Sequence, residues 1–416
     1  MEGSPRAWLL DLARMGMDLG LQSTTTLLDA LHRPDERVPV VLHVAGSNGK
    51  GTVCALLAAL AHAHGHRTLL FTSPHVARLE ERVRINGRPV PAPQFDDAIC
   101  VLQDAVEATG VTPTFFEATM LVAWILAVEE GVDVVVQETG LGGRLDATRA
   151  TRADLAVVTS VTVEHASVLG HTRSEVMAEK AAIARPNAPL VLRDPCDDGV
   201  EAAARAAAHA AGPPSVLDVV RVPSGVDVRE EARVVAAAAA NHLGWDPHPL
   251  VDLAVRVQWP GRSQFVSAER SGVGPLLLDA AHNPSGLSRV MPELLSGLKH
   301  HAGPSTWRLA FGCTEQDDLE GMLRPLLASL QPWPPDGIML VAPEGGRRPG
   351  VEPARLATAA WPAPVRCFPS VQGMLGDMRL NPQPTLLVGS LYLVGNVLAH
   401  LNLDGDNDLD LLPSEG

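Results

Sequence analysis

Two α/β domains, the first built on a doubly wound and mainly parallel sheet, are what this sequence predicts, and three observations lead there. From residue 38 to about 195, short β-branched runs alternate with alanine- and leucine-rich helical stretches. The chain then breaks near Trp259-Pro260-Gly261, and a second strand–helix series follows. At 416 residues the chain exceeds one ordinary domain, and 46% hydrophobic with 19% charged residues supports large cores rather than disorder.

The strand candidates of the first domain are VPVVLHVA, TLLFT, VDVVVQE, DLAVVTSV and APLVLRD. Each is short, β-branched and bounded by turn residues. TVCALLAALAHAHG and FEATMLVAWILAVEEG lie between them and read as helices. Residues 197 to 250 are alanine-rich and read as helices with loops, without catalytic signals. PLLLDAAHNP, RLAFGC, GIMLVAP and TLLVGSLYLVGNVLAHL form the second series, which places the domains at 1–258 and 259–416. No internal repeat is visible, and LDGDNDLDLLPSEG reads as a frayed acidic end.

A formal net charge of −15 argues against a nucleic-acid partner, since phosphate backbones need a positive surface, and acidic ligands would need local basic pockets. No apolar run reaches membrane-spanning length, and MEGSPRAWLL lacks the basic-then-apolar layout of a signal peptide. Five scattered cysteines without metal-type spacing read as reduced thiols of a cytoplasmic protein. Of 33 basic side chains only Lys50, Lys180 and Lys299 are lysines. In a chain that uses arginine for generic positive charge, a lysine marks a place where a compact, deprotonatable amine is needed. Chance accounts for Lys299, in LSGLKHHAG near a helix end.

Gly46 to Thr52 reads GSNGKGT, directly after a strand and before a helix. Backbone N–H groups and a helix N-terminus there face a phosphate chain, with Lys50 on the outer phosphates and Thr52 offering a hydroxyl. Gly51 separates the lysine from the hydroxyl residue, unlike the common phosphate-loop spacing; a glycine-rich turn with no ligand is the bland alternative. Three more strands end in polar side chains: Thr72-Ser73-Pro74-His75, Glu138, and Glu164-His165. In a parallel sheet such ends meet the phosphate loop at one crevice, where a serine oxygen, a carboxylate and an imidazole can hold magnesium beside a nucleotide. Each alone is more commonly a loop hydroxyl, a solvated acid or a packed histidine. Lys180, in SEVMAEKAAIARP, reads either as a solvated helix-face cation or as a functional amine. Pro260-Gly261-Arg262 and Asp279, His282 and Asn283 bring charges to a strand end of the second domain, or form a hinge and a helix N-cap.

Together HVAGSNGKGT, TSPHVARLEERVRINGRPV, QETGLGGRLDAT, the Glu-His pair, EKAAIARP, WPGR and LLLDAAHNP resemble the Mur ligase superfamily, and within it the folylpolyglutamate synthase/dihydrofolate synthase family. The match spans roughly residues 40 to 195 and 258 to 400. The resemblance implies a Mur-ligase-like fold, with a P-loop ATP-binding domain and a smaller Rossmann-like glutamate-ligase domain. It also implies an ATP-dependent ligase that adds L-glutamate to a folate, to dihydropteroate, or to both, through an acyl phosphate. Residue by residue, Ser47, Asn48, Gly49, Lys50, Gly51 and Thr52 hold the ATP phosphates, and Ser73, Glu138 and His165 match the magnesium positions. Lys180 matches a lysine that is carbamylated in the family and helps place a second metal. Lys50, Lys180 and His165 are therefore the catalytic candidates. Arg262 and Asp279 match nucleotide contacts, and Thr114, Phe115, Phe116, Glu117, Leu145, Asp146 and Ala147 match the pteroate-binding segments. The implied partners are small molecules only, on a monomer.

The chain also departs from that pattern. Glu164-His165 stands where relatives carry Asp-His, and REEARVV replaces an ATP-contacting asparagine near residues 229 to 241. Glu315-Gln316-Asp317 replaces a Lys-Asp pair, and the segment from 195 to 229 is shorter than in many relatives. Another amino-acid ligase of the superfamily, or a nucleotide-binding regulator without ligase activity, are the rival readings.

Overall fold

Runs such as VVLHVA and VVVQE carry little alternation of polar and apolar residues, so both faces of such strands must be covered. The computed structural model, which describes residues 4–14, 16, 19–302, 306–346 and 348–412, covers them in that way. The chain divides into two compact units. The first holds the chain up to His75, Leu79–Val257 and the residues from Asp410 on; the second holds Val76–Arg78 and Gln258–Leu409.

The first unit contains β1 (Val40–Ala45), β2 (Thr68–Phe71), β3 (Val83–Ile85), β4 (Arg88–Pro89), β5 (Val134–Glu138), β6 (Leu155–Val158), β7 (Leu190–Arg193) and β8 (Leu217–Val220). They form one sheet in the order β4-β3-β2-β5-β1-β6-β7-β8. Pairing is parallel from β2 to β8, and β3 runs antiparallel to both β2 and β4. From β1 the chain moves toward one edge and later crosses to β6 on the other side, so the carboxyl end of β1 lies at a switch in strand order. Helix Phe115–Glu129 is buried almost throughout, which explains a sequence with no polar stripe. Helix Lys50–Ala63 packs on β1, β2 and β5.

Two local features differ from the sequence expectation. Residues 197 to 250 include the strand β8 beside the helices Asp198–Ala211 and Val228–His242; its half-buried residues at the sheet edge give a weak β signal. LDGDNDLDLL is not frayed: Leu403, Leu409 and Leu411 are buried, Leu411 N–H donates to the Gly87 carbonyl at 3.0 Å, and Asp410 pairs with Arg88 at 3.1 Å. The spaced leucines, not the intervening acids, decide its fate. Residues 413–416 lie outside the described residues.

The second unit is a smaller sheet of β9 (Gln264–Val266), β10 (Leu276–Leu278), β11 (Arg308–Phe311), β12 (Gly337–Val341), β13 (Val365–Phe368) and β14 (Thr385–Val388). Its order is β13-β12-β11-β14-β10-β9, parallel except for β9. Apolar clusters line its two faces, against helices that include Pro284–Ala302 and Leu391–His400. Among the described residues no helix is long and apolar enough to cross a membrane.

Candidate active site

The turn after β1 is shaped by close backbone approach. A Cβ on Gly46 would stand 1.8 Å from Thr159 Oγ1, so only glycine lets the loop lie against the end of β6. Ser47 N–H donates to the Ser160 carbonyl at 2.7 Å, and the Asn48 carbonyl accepts from Thr159 Oγ1 at 2.8 Å and Ser160 Oγ at 3.2 Å. Gly49 adopts φ +84° and Lys50 opens helix Lys50–Ala63. Ser47, Asn48, Gly49, Lys50, Gly51 and Thr52 thus form a stitched strand–loop–helix turn, with helix N–H groups of its first turn available to an anion.

Charges gather around that turn. Lys50 Nζ donates to the Gly46 carbonyl at 3.0 Å and lies 3.9 Å from Glu138 Oε1. Glu138, at the end of the neighbouring strand β5, accepts from Ser73 N–H at 3.1 Å, which joins the ends of β2 and β5. Lys180, in the last turn of helix Arg173–Ala181, is only 2% exposed; its Nζ donates to the same Gly46 carbonyl at 3.0 Å and to Glu164 Oε1 at 2.9 Å. Burial pulls the Lys180 pKa below the ordinary lysine range, against the opposing pull of Glu164. For Glu164 burial acts upward, yet the ammoniums of Lys180 and then Lys50 hold its carboxyl below the usual range. Lys180 is therefore no solvated helix-face lysine. His75 accepts from Arg82 Nε at 3.0 Å, and burial with that neighbouring charge lowers its pKa to about 3, so it is neutral near pH 7.

The proposed magnesium positions fare unequally. Ser73 and Glu138 are in contact, and carboxylate and hydroxyl oxygens suit a hard cation. His165 is exposed, at φ +46° before the short helix Ala166–Leu169, and no hydrogen bond joins its side chain to either residue. Among the described residues no three His, Cys, Asp or Glu side chains converge as a metal site. The donor set fits a cation held mainly by oxygen, with Glu138 as its anchor.

The segments matched to pteroate binding have strong internal roles. Thr114 caps helix Phe115–Glu129: its Oγ1 accepts from Glu117 N–H at 3.3 Å, while Glu117 accepts from Thr114 N–H at 2.7 Å. Glu117 also accepts from Thr24 Oγ1 at 2.7 Å. Phe115 lies under the Arg82 guanidinium at 4.9 Å, and Phe116 packs on Gly140, where a Cβ would stand 2.6 Å from the ring. Leu145 is half-buried, Ala147 is buried, and Asp146 accepts from Leu141 N–H at 2.8 Å, Thr148 N–H at 3.0 Å and Thr148 Oγ1 at 2.5 Å. Burial pushes the Asp146 pKa up against those bonds. Phe116 and the loop from Gly140 to Ala147 are thereby brought together.

In the second unit, Asp279 at the end of β10 accepts from Ser263 N–H at 2.9 Å and Ala281 N–H at 2.8 Å, and Ala280 N–H donates to the Gly261 carbonyl at 2.8 Å. Those bonds bring Arg262, which is exposed, to the same turn; burial raises the Asp279 pKa and Arg262 opposes it. His282 bonds the Ala280 carbonyl at 2.9 Å, and Asn283 accepts from Gly286 N–H at 2.7 Å as the cap of helix Pro284–Ala302. Glu315 and Asp317, which replace the expected Lys-Asp pair, bind Arg355 and Arg348 at 2.8 Å each. At REEARVV, Glu231 binds Arg193 at 3.0 Å and Glu230 binds Arg233, so this place carries ion pairs.

Sequence reasoning missed three residues and one pairing. Thr159 and Ser160 hold the turn after β1 through the Asn48 carbonyl, and their only signal was the hydroxyl pair after a strand. Glu164 was read as one half of a Glu-His motif, yet its partner is Lys180, sixteen residues on. His43, given no role of its own within HVAGSNGKGT, bonds Thr148 Oγ1 at 2.7 Å and Thr139 Oγ1 at 2.9 Å.

No family model matches the chain. It is similar to the dihydrofolate synthase/folylpolyglutamate synthase of Escherichia coli, with 31% identity over 352 residues, 79% of each chain. It is also similar to a protein of Halobacterium salinarum described as a probable bifunctional folylpolyglutamate synthase/dihydropteroate synthase, with 32% identity across 68% of this chain. The chain spans 38% of that relative's length. Among solved structures it resembles the bifunctional folylpolyglutamate synthase/dihydrofolate synthase of Yersinia pestis complexed with AMPPNP and Mn ion: TM-score 0.79, 26% identity, 97% of this chain and 99% of the other.

Proposed function

The chain belongs to the dihydrofolate synthase/folylpolyglutamate synthase family and has its Mur-ligase-like α/β fold, and from that premise we propose that it is an ATP-dependent ligase joining L-glutamate to a folate or to dihydropteroate. The observation that carries this reading is the convergence of Lys50, Lys180, Glu138 and Glu164 on a glycine-bounded turn at the end of β1. Two ammoniums and two carboxylates around one phosphate-accepting turn suit phosphoryl transfer between anions, where most of the catalysis is positioning and electrostatics.

The carboxylate oxygen of the pterin substrate attacks the ATP γ-phosphorus, the bond to ADP breaks, and an acyl phosphate forms. The amino group of glutamate attacks the acyl carbon, gives up its proton, and phosphate leaves. Lys50 would neutralise the transferring phosphoryl group, and the turn from Ser47 to Thr52 would hold the phosphate chain through N–H groups of the helix's first turn, since the Ser160 carbonyl takes the N–H of Ser47. Ser73, Glu138 and His165 would hold Mg2+, which supplies further neutralisation of the phosphate oxygens when bound. Lys180 would take up CO2 as a carbamate to place a second ion. Phe116 and the Leu145–Ala147 loop would bind the pteroate moiety. Residues 1–258 would serve ATP and pteroate binding, and 259–416 would supply glutamate ligation with Arg262 and Asp279 on the nucleotide. We read the protein as a cytoplasmic monomer acting on small molecules.

The test is phosphate release from ATP that depends on glutamate together with dihydropteroate or tetrahydrofolate. Release with either acceptor supports the reading. Release with neither acceptor, in protein that binds ATP, overturns it in favour of a different acceptor or a non-ligating regulator.

The oxygen-centred metal site carries its own expected outcome. Glu138→Gln keeps shape but removes the negative charge that faces Lys50 and Ser73. It is expected to weaken apparent Mg2+ affinity by about tenfold or more and to slow phosphoryl transfer. An unchanged magnesium titration curve in the variant would remove Glu138 from the metal site.

A further inference from the structure

His43 lies in the middle of β1, fully buried, on the strand that ends in the phosphate loop. Burial, and then the charges of Arg185 and Arg149, push its pKa well below the usual histidine range, so the ring is neutral at physiological pH. Its Nε2 lies 2.7 Å from Thr148 Oγ1 and 2.9 Å from Thr139 Oγ1, the two hydroxyls that flank the loop 140–147. Thr148 Oγ1 donates onward to Asp146, whose other carboxylate oxygen takes Leu141 N–H at 2.8 Å. With the Thr148 hydrogen committed to Asp146, Thr148 Oγ1 accepts, and His43 must carry its proton on Nε2. One imidazole N–H, shared between the two hydroxyl oxygens, thus ties both ends of this loop to the strand that delivers Lys50. His43 Nδ1 has no hydrogen-bond partner among the described residues.

We infer that His43 is a positioning residue for substrate selection: through Thr139, Thr148 and Asp146 it sets where the loop 140–147 stands relative to the phosphate loop, and so governs affinity for the carboxylate substrate. This rests on the proposal that Leu145–Ala147 binds that substrate. His43 touches neither nucleotide nor reacting atoms in this role. The requirement is specific: a donor four bonds from Cα, the place of Nε2.

Glutamine supplies an N–H at that distance, whereas asparagine supplies one at the place of Nδ1. In full-length enzyme, His43→Asn is expected to raise KM for the folate or dihydropteroate substrate about tenfold, with kcat and KM for ATP nearly unchanged. His43→Gln is expected to stay near the parent. Thr139→Val, which removes the contact from the loop side with little change of volume, should reproduce the effect of His43→Asn and serves if that variant does not fold. Parent-like kinetics in both His43→Asn and Thr139→Val overturn the inference. So does a matched loss in kcat and both KM values that glutamine fails to rescue, which marks a merely structural residue. Leu145→Ala separates the two levels. If it raises the folate KM while His43→Asn does not, positioning by His43 fails and the loop assignment stands. If Leu145→Ala leaves KM unchanged, the loop assignment fails and the positioning role falls with it.

Discussion

Lys50→Ala is expected to lower kcat by about 10²- to 10³-fold or more while leaving the fold intact. The loss follows from where the ammonium sits. Its Nζ is held over the turn after β1 by the Gly46 carbonyl at 3.0 Å and faces Glu138 at 3.9 Å, so removal leaves two acidic side chains, Glu138 and Glu164, with one cation fewer. An incoming triphosphate would then meet net negative charge, in both ground and transition states. The fold should tolerate the change, because Lys50 occupies the first position of helix Lys50–Ala63 and alanine is the best helix former. Glutamate-dependent phosphate release, nucleotide binding and far-ultraviolet dichroism should be measured on the same preparation. Turnover close to the parent in a normally folded variant would remove Lys50 from the mechanism. Lys50→Arg is informative beside it: a planar fork replaces a compact charge in a turn already shared with Lys180, and recovery of less than full activity is expected.

The parts of this molecule that were legible in its sequence are those where one physical cause acts locally. Mostly apolar runs marked β1, β5, β6 and β7, because strands covered on both faces admit few polar residues, His43 and Gln137 among them. Edge strands were not legible. β8 is half-buried throughout, and in β13 Arg366 and Cys367 are exposed, so neither shows an apolar run. The hairpin of β3 and β4 did have a signal: Asn86-Gly87 between short strands takes positive φ at both positions, 49° and 86°, the pattern of a tight hairpin turn. Strands of only three and two residues show too little alternation to accompany that turn signal. At the site, lysine scarcity pointed to Lys50 and Lys180, and strand ends pointed to Glu138. The Lys180–Glu164 pair and the His43 network depend on which side chains meet across strands and helices, and spacing alone does not encode that.

Lys180→Arg should fold normally yet lose most ligase activity, if Lys180 works as a carbamate. The reaction requires a neutral amine: nitrogen attacks CO2, the carbamate forms, and a proton is released. Burial to 2% exposure, which lowers the Lys180 pKa, brings that neutral form within reach. Glu164 at 2.9 Å opposes it by stabilising the ammonium, and a carbamate beside Glu164 would set two anions together. A cation between them is then needed, so carbamate and metal are expected to load together. With ¹³C-bicarbonate, the parent should show a carbamate resonance that requires Mg2+, and Lys180→Arg should show none. Arginine preserves charge and helix propensity and still gives Glu164 a partner, at an over-packing cost of about 1–3 kcal/mol in so buried a site, whereas it cannot form the anion. Lys180→Ala should be comparably inactive, and added short carboxylates should restore part of its rate by occupying the vacated space. A purely electrostatic lysine, paired with Glu164 throughout turnover, gives the opposite pattern. In that case Lys180→Arg retains activity, no carbamate resonance appears with or without Mg2+, and short carboxylates do nothing for Lys180→Ala. Full activity in Lys180→Arg would reject the carbamate whatever the alanine variant does, and the Lys180–Glu164 ion pair would then stand as the working state of the site.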